Sequence, residues 1–393
     1  MIMVTSGKPA QRPVNCNFSS GPCAKRPGWS LKALDNAFLG RSHRAKEGKV
    51  RLKRAIEETK ALLGLPAGYV CGIVPASDTG AFEMAMWSML GERGVDALAW
   101  ESFGEGWVTD VTKQLKLADL RILRGEYGKL PDLREVDFSR DVLFTWNGTT
   151  SGVRVPNGDW IAADRTGLTF ADATSAVFAQ AIPWNKIDVA TFSWQKALGS
   201  EAAHGMLILS PRAVARLESY TPAWPLPKLF RLVKGGKLME PVFEGETINT
   251  PSMLCVEDYL DALAWATSIG GLRALQARAD ANAKVLYDWA ARTPWLEPLA
   301  ADPATRSNTS VCLKVVDPAV ATLPIDAQRA FVKQIEAILD EEGAAHDTAG
   351  HRDAPPHLRI WTGCTIEASD LEILTRWLDW AFAEVKAGLA KAA

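Results

Sequence analysis

Short apolar runs alternate along this chain with longer amphipathic stretches, and the first two thirds repeat that unit several times. The pattern predicts strands over 69–74, 96–100, 120–123 and 142–146, then one ending at Asp172 and one running from Ile187 to a stop at Ser193. A further strand over 205–210 reads as antiparallel. Helices are expected over 30–38, from a basic run opening at 41–46, and over 81–90, 254–269 and 271–291. Beyond these lie a strand over 309–315 with alternating Val311, Leu313 and Val315, a helix over 326–342, and a strand over 357–361. A last helix is expected to open on Ser369 with Glu372 three residues later, the spacing of a capping box. Phe103-Gly104-Glu105-Gly106-Trp107 reads as a glycine-rich loop presenting an aromatic ring.

Strand followed by helix or loop, several times over, is the signature of an α/β domain built on a parallel sheet, with a smaller α+β unit after it. With 393 residues the chain is long enough for more than one core. The expected division is an N-terminal arm, 1–15, a large domain, 16–270, and a small domain, 271–393, with 16–40 able to pack on the small one. A net charge of -2 gives no overall attraction to nucleic acid or anionic membrane, so any anion must be recognised locally. Six scattered cysteines, without paired or metal-ligand spacing, suit reduced thiols. No stretch offers the roughly 18 apolar residues that spanning a bilayer requires, and the N-terminus lacks the apolar core of a secretion signal. A soluble cytoplasmic protein that holds no metal is expected.

Parallel sheets collect ligand groups at the carboxyl ends of their strands. Here those ends carry Thr79, Thr149, Asp172 and Lys196. A lysine in that place can be desolvated and react as a free amine; taken alone, it reads first as an ordinary exposed lysine after a strand. Ser77-Asp78-Thr79-Gly80 stands at a strand-to-helix turn, either as a phosphate cradle of free N–H groups or as a plain N-cap. Trp107 is a packing residue or a stacking platform. Most of the basic run after Arg41 reads as a solvated helix face, whereas His43 and Arg44 stand at the turn before it, where an anion can be met. Asp172 changes the weight of Lys196, because an acid on a pyridine nitrogen and a lysine on the aldehyde are the pair that pyridoxal phosphate chemistry needs.

Together, Ser193-Trp194-Gln195-Lys196, Ala171-Asp172-Ala173-Thr174-Ser175, the opening Asn17-Phe18-Ser19-Ser20-Gly21-Pro22 and Ser42-His43-Arg44 resemble the phosphoserine aminotransferase family, among the fold-type I, class V aminotransferases. The resemblance covers nearly the whole chain. It implies a mostly parallel seven-stranded sheet flanked by helices, a smaller C-terminal domain, and pyridoxal 5'-phosphate as cofactor. It implies that Lys196 binds the aldehyde and shuttles a proton, Asp172 pairs with the ring nitrogen, Trp107 stacks on the ring and Thr149 sits by its phenolic oxygen. Asp78, Thr79 and Gln195 would hold the phosphate, with Asn249 and Thr250 reaching across from the partner in a homodimer. Arg359 would clamp the substrate's α-carboxylate, and His43, Arg44, His351 and Arg352 would receive its phosphate or side-chain carboxylate.

The implied reaction is ping-pong amino transfer between phosphoserine or its keto acid and 2-oxoglutarate or glutamate, in serine biosynthesis. One departure stands out: where many members carry an arginine in the cradle turn, this chain has Thr79. A class V enzyme using alanine or serine with glyoxylate is the enzymatic alternative, and an anion-binding module on the same fold the other.

Overall fold

The computed structural model describes residues 7–392. In the first two thirds lie α1 (Lys46–Leu63), β1 (Val70–Pro75), α2 (Ser77–Met89), β2 (Val95–Ala99), α3 (Ser102–Thr109), β3 (Leu120–Arg124), β4 (Asp141–Thr145) and the two-residue pair β5 (Asn147–Gly148) and β6 (Val153–Arg154). They continue with β7 (Thr169–Asp172), β8 (Val189–Ser193), β9 (His204–Leu209), α4 (Pro211–Ser219), the short hairpin β10 (Val233–Lys234) and β11 (Lys237–Leu238), and α5 (Met253–Ser268). One seven-stranded sheet in the order β1-β9-β8-β7-β4-β2-β3 organises this part. Only β9 runs against its neighbours, as the sequence pattern predicts.

Its central strands are apolar at nearly every position because both faces are covered. Adjacent residues point to opposite cores. Phe144 and Ala171 join the core under α1 and α5, with Leu52, Ile56 and Tyr259, whereas Leu143 and Phe170 join the core under α2, with Phe82 and Met86. The period-2 alternation of a strand thus fixes which helices lie on which face.

The second unit comprises α6 (Gly271–Arg292), β12 (Leu296–Pro298), β13 (Ser310–Val315), α7 (Pro318–Ala321), α8 (Ile325–Glu341), β14 (Leu358–Trp361) and α9 (Ala368–Ala392), with an antiparallel sheet in the order β12-β13-β14. Helix α6 belongs to both cores, giving Leu275 and Ala279 to one and Leu286 and Trp289 to the other. The chain around Phe18, Cys23 and Ala24 packs in this second core, and the Phe18 carbonyl accepts from the Trp361 amide at 3.0 Å.

Several local expectations need correction. The helix over 30–38 is only a 3-10 turn, Leu31–Leu34, because none of its residues is buried and nothing supports a longer one. The glycine-rich stretch 103–107 is helix α3: the buried Glu101 carboxylate caps it by accepting from Gly104 N at 2.8 Å, and Gly104 packs against Ala99 where a side chain would crowd. Ser369 lies inside α9 rather than capping it. Its neighbour Asp370 instead accepts from the amides of Val14 and Asn15 at 2.7 and 3.2 Å, which pins the N-terminal strand of chain to the helix. Strand β12 was not legible in the pattern. No helix among the described residues is long and apolar enough to cross a membrane.

The exit of β8 is braced by an aromatic stack. Trp194 lies flat on Tyr259 at 4.5 Å between centroids and meets the edge of His204 at 5.0 Å. The His204 Nε2 accepts from Ser252 N at 3.0 Å, so the ring is neutral, and burial pulls its pKa down to about 4. A histidine with a depressed folded-state pKa contributes stability that is present above its unfolded value and lost as pH falls towards 4. Urea unfolding at pH 7 and pH 4.5 is therefore expected to show His204→Gln losing about 2 to 3 kcal/mol less stability over that interval than the wild type. Equal losses would show that His204 does not contribute to the acid limb.

Candidate active site

Beyond Ser193, the last residue of β8, the chain turns through Trp194 and Gln195 into Lys196, and Gly199 at φ +63° completes the turn. The Lys196 side chain folds back under the N-terminal segment. Its Nζ donates to the Ser20 carbonyl at 2.5 Å, and a Cβ on Gly21, which sits at φ +152°, would displace that nitrogen. Burial holds the Lys196 amine below the ordinary lysine pKa; Cys23, Asp172 and Asp78 oppose the shift, and Arg359 adds to it. The lysine is thus buried, with its neutral form favoured, rather than exposed after its strand.

Asp172 ends β7, paired in register with Thr145 of β4 and Thr191 of β8. It is buried, and its two oxygens accept from Trp107 Nε1 at 3.0 Å and Thr174 N at 3.1 Å. Trp107 is held by that bond and by Phe82, 4.7 Å away between ring centroids. The neighbouring Asp78 has its pKa raised well above the usual carboxylate value, by burial first and by the charge of Asp172 second. The shift favours the protonated form of Asp78, the form in which an acid can face an anion without repelling it.

Helix α2 begins without any side-chain cap, which removes the N-cap reading of Ser77, Asp78 and Thr79. Ala76 and Ser77 both adopt the left-handed conformation, at φ 63° and 53°, a strained turn for residues with a Cβ. The uncapped first turn aims N–H groups and the helix dipole at the cavity. Thr149 follows β4, its hydroxyl donating to Ser175 Oγ at 2.8 Å.

These groups converge on one cavity of about 600 Å³, lined by Asp78, Thr79, Trp107, Thr149, Asp172, Gln195 and Lys196. Around it, Asp78 Oδ1, Thr174 Oγ1, Ser193 Oγ and Gln195 Oε1 are buried without a hydrogen-bond partner. Such orphaned atoms beside a desolvated amine and an uncapped helix call for a polar ligand. The set fits pyridoxal phosphate: an amine for the aldehyde, a carboxylate for the ring nitrogen, an indole for the ring face, and donors for the phosphate.

Other expected residues stand at different distances from this centre. Arg359, on β14, is half-buried with its Nε unpartnered, and its charge reaches Lys196. His351 lies over α3, its ring 5.9 Å from that of Phe103. Arg352 points outward, with 89% of its side chain exposed. His43 and Arg44 line a separate cavity of about 140 Å³ with Lys49 and Gly245 to Thr247. Asn249 and Thr250 are exposed just beyond that cavity. Within one chain, then, neither pair reaches the main cavity. Glu101, Ser102 and Tyr127, which help organise its wall, lie outside the motifs of the sequence, the Glu101-x-x-Gly104 cap being the one available signal, and Ser175 stands in the Ala171–Ser175 motif with no role read for it.

No protein-family model matches the chain. The chain is 59% identical over 379 residues to the phosphoserine aminotransferase of Methanosarcina mazei, covering 96% of this chain and 100% of that protein. It is 58% identical over the same length to the phosphoserine aminotransferase of Methanosarcina barkeri, with the same coverage. The crystal structure of a phosphoserine aminotransferase from Cytophaga hutchinsonii overlays with a TM-score of 0.78 at 20% identity, covering 92% of this chain and 97% of that one, and shows the shared fold.

Proposed function

Because the chain belongs to the phosphoserine aminotransferase family, we propose that it carries out ping-pong amino transfer between phosphoserine and its keto acid on one side and 2-oxoglutarate and glutamate on the other, in serine biosynthesis. The observation that carries the site assignment is the buried Lys196 amine sharing one cavity with the Trp107–Asp172 pair and the open N-terminus of α2.

When bound, pyridoxal phosphate would supply an aldehyde to take up the amino group and a ring to draw electrons from the substrate's Cα. Asp172, oriented by the Trp107 indole and the Thr174 amide, would hold a proton on the ring nitrogen. Asp78, Thr79, Gln195 and the first turn of α2 would hold the phosphate. Lys196, whose amine burial shifts toward the neutral form, would take the proton from the substrate's Cα and return it on the far side of the transfer. Arg359 would grip the α-carboxylate, a task that suits a guanidinium fork with an unpartnered Nε.

A homodimer is part of the proposal. His43, Arg44, Asn249 and Thr250 lie together outside their own chain's cavity, next to Gly245 to Thr247, where they could serve a partner's. His351 would meet the distal anionic group of the substrate from within the same chain, with Arg352 turning in from the surface. The protein is taken to work in the cytoplasm, where its six thiols stay reduced.

The test is a comparison of half-reactions. Phosphoserine should discharge its amine at least an order of magnitude more efficiently than serine or alanine, and Arg44→Ala should cut kcat/KM for phosphoserine by roughly 10- to 100-fold while sparing alanine. Faster turnover of alanine or serine than of phosphoserine would move the enzyme to the glyoxylate-type class V activities.

A further inference from the structure

His351 does not stand alone over the cavity. Its Nδ1 lies 3.3 Å from Ser102 Oγ, which lies 2.5 Å from Tyr127 OH. Tyr127 OH is 3.4 Å from Thr150 Oγ1, and Thr150 Oγ1 donates to Glu101 Oε2 at 2.7 Å. A chain of side chains thus runs from the small-domain loop before β14 to a carboxylate buried at the N-terminus of α3. Its ends are anchored. Glu101 also accepts from Gly104 N, and Gly128, beside Tyr127, has no room for a Cβ against the Leu299 carbonyl.

Proton counting sets the direction of the chain. Thr150 has one hydroxyl proton, and Glu101 takes it. Tyr127 has one as well, and the 2.5 Å contact to Ser102 is far shorter than the 3.4 Å contact to Thr150, so that proton goes to Ser102. Ser102 then donates to Nδ1 of His351. The Asp353 amide also donates to Nδ1, at 3.4 Å. Two groups bear against this polarity: burial pushes Glu101 up to about 7, and the Asp353 carboxylate oxygen lies 3.6 Å from Nδ1 and would favour a proton there; the amides of Gly104 and Thr150, which both donate to Glu101, and the two donors at shorter range to Nδ1 outweigh them. With Nδ1 an acceptor, the ring proton resides on Nε2.

We propose that Ser102 and Tyr127 are positioning residues for substrate recognition, fixing His351 as the Nε2–H tautomer so that a neutral imidazole donates to the distal anion of the substrate. The inference rests on the reading that His351 meets that anion. It explains how a histidine can bind phosphate without being charged: burial and Arg359 hold its pKa below the usual value, so charge is not what it offers. It also gives the site an anion donor beside Ser102 and Phe103 of the cavity wall, where Thr79 offers no guanidinium.

The test has two arms on the holoenzyme. The chain has only five histidines, so selective ¹⁵N labelling should resolve His351, with Nε2 showing the protonated nitrogen signature in the wild type and mixed tautomers in Tyr127→Phe. Kinetically, Tyr127→Phe should raise KM for phosphoserine about tenfold with kcat nearly unchanged, leave the alanine half-reaction at its wild-type rate, and add nothing in a His351→Ala background. An Nδ1–H tautomer in the wild type, or equal costs of Tyr127→Phe with and without His351, would overturn the inference. A misfolded variant would betray itself by losing the alanine half-reaction too, and Ser102→Ala, which interrupts the same chain, then serves for the coupling measurement. If His351→Ala leaves phosphoserine binding untouched, it is the placing of His351 on the substrate anion that fails.

Discussion

Lys196→Ala is expected to abolish amino transfer, with a loss on the order of 10^4-fold or more, and to remove the near-visible absorbance of lysine-bound cofactor. The size follows from the side chain doing two things that nothing nearby can replace. Lys196 is the one lysine lining the cavity among the described residues, and its burial favours the neutral amine, the form that accepts a proton. The variant should still fold, because the Lys196 side chain makes one hydrogen bond among the described residues, to the Ser20 carbonyl, and the loss of a buried amine lifts a desolvation cost. Absorbance of the purified protein, and single-turnover mixing with phosphoserine, would check both parts. Retention of activity would sink the assignment of Lys196 to the chemistry, whereas a colourless wild type that cannot be reconstituted with cofactor would favour the anion-binding reading.

The sequence carried the centre of this site better than its rim, for a physical reason. Lys196, Asp172 and Thr149 sit at or just past the ends of strands that are buried on both faces, and a run of apolar residues stopping at a polar one marks such an end directly. The alternation that sends Phe144 and Leu143 to different cores is likewise written in the chain. What the pattern could not hold is contact between segments far apart. Ser102 meets His351 across 249 positions, and Lys196 meets Ser20 across 176.

Helix α3 shows the same limit locally: two glycines argue for a loop, and the tertiary fact that a buried Glu101 caps the turn while Ala99 leaves no room for a side chain overrides them. The uncapped start of α2 is the opposite case. Its hydroxyls and carboxyl look like caps in sequence, yet the strained turn at Ala76 and Ser77 puts the chain on a path where they line a cavity instead.

Asp172→Asn is the substitution expected to separate cofactor binding from catalysis. The carboxylate has two jobs for its two oxygens, accepting from Trp107 Nε1 and Thr174 N, and its charge is what would keep the ring nitrogen protonated. An asparagine can accept through one oxygen only; its amide group must face one of those two donors, so either the indole or the Thr174 amide loses its partner. The indole plane then loosens, and a neutral side chain can no longer hold a proton on the ring. Two neighbours should respond as well. Asp172 raises the proton affinity of both Lys196 and Asp78, so its neutralisation should lower the pKa of the amine further and let Asp78 ionise more readily, against the phosphate it is proposed to face.

The expected outcome for Asp172→Asn is a protein that still takes up the cofactor on Lys196 and absorbs in the near-visible, but turns over phosphoserine on the order of 10^3-fold more slowly, with the loss in the proton-transfer step rather than in substrate binding. A solvent-visible deuterium effect at the substrate's Cα in single turnover would locate that step. A variant within tenfold of the wild type would mean that the ring nitrogen needs no acid here, and the Trp107–Asp172 pair would then be a packing device.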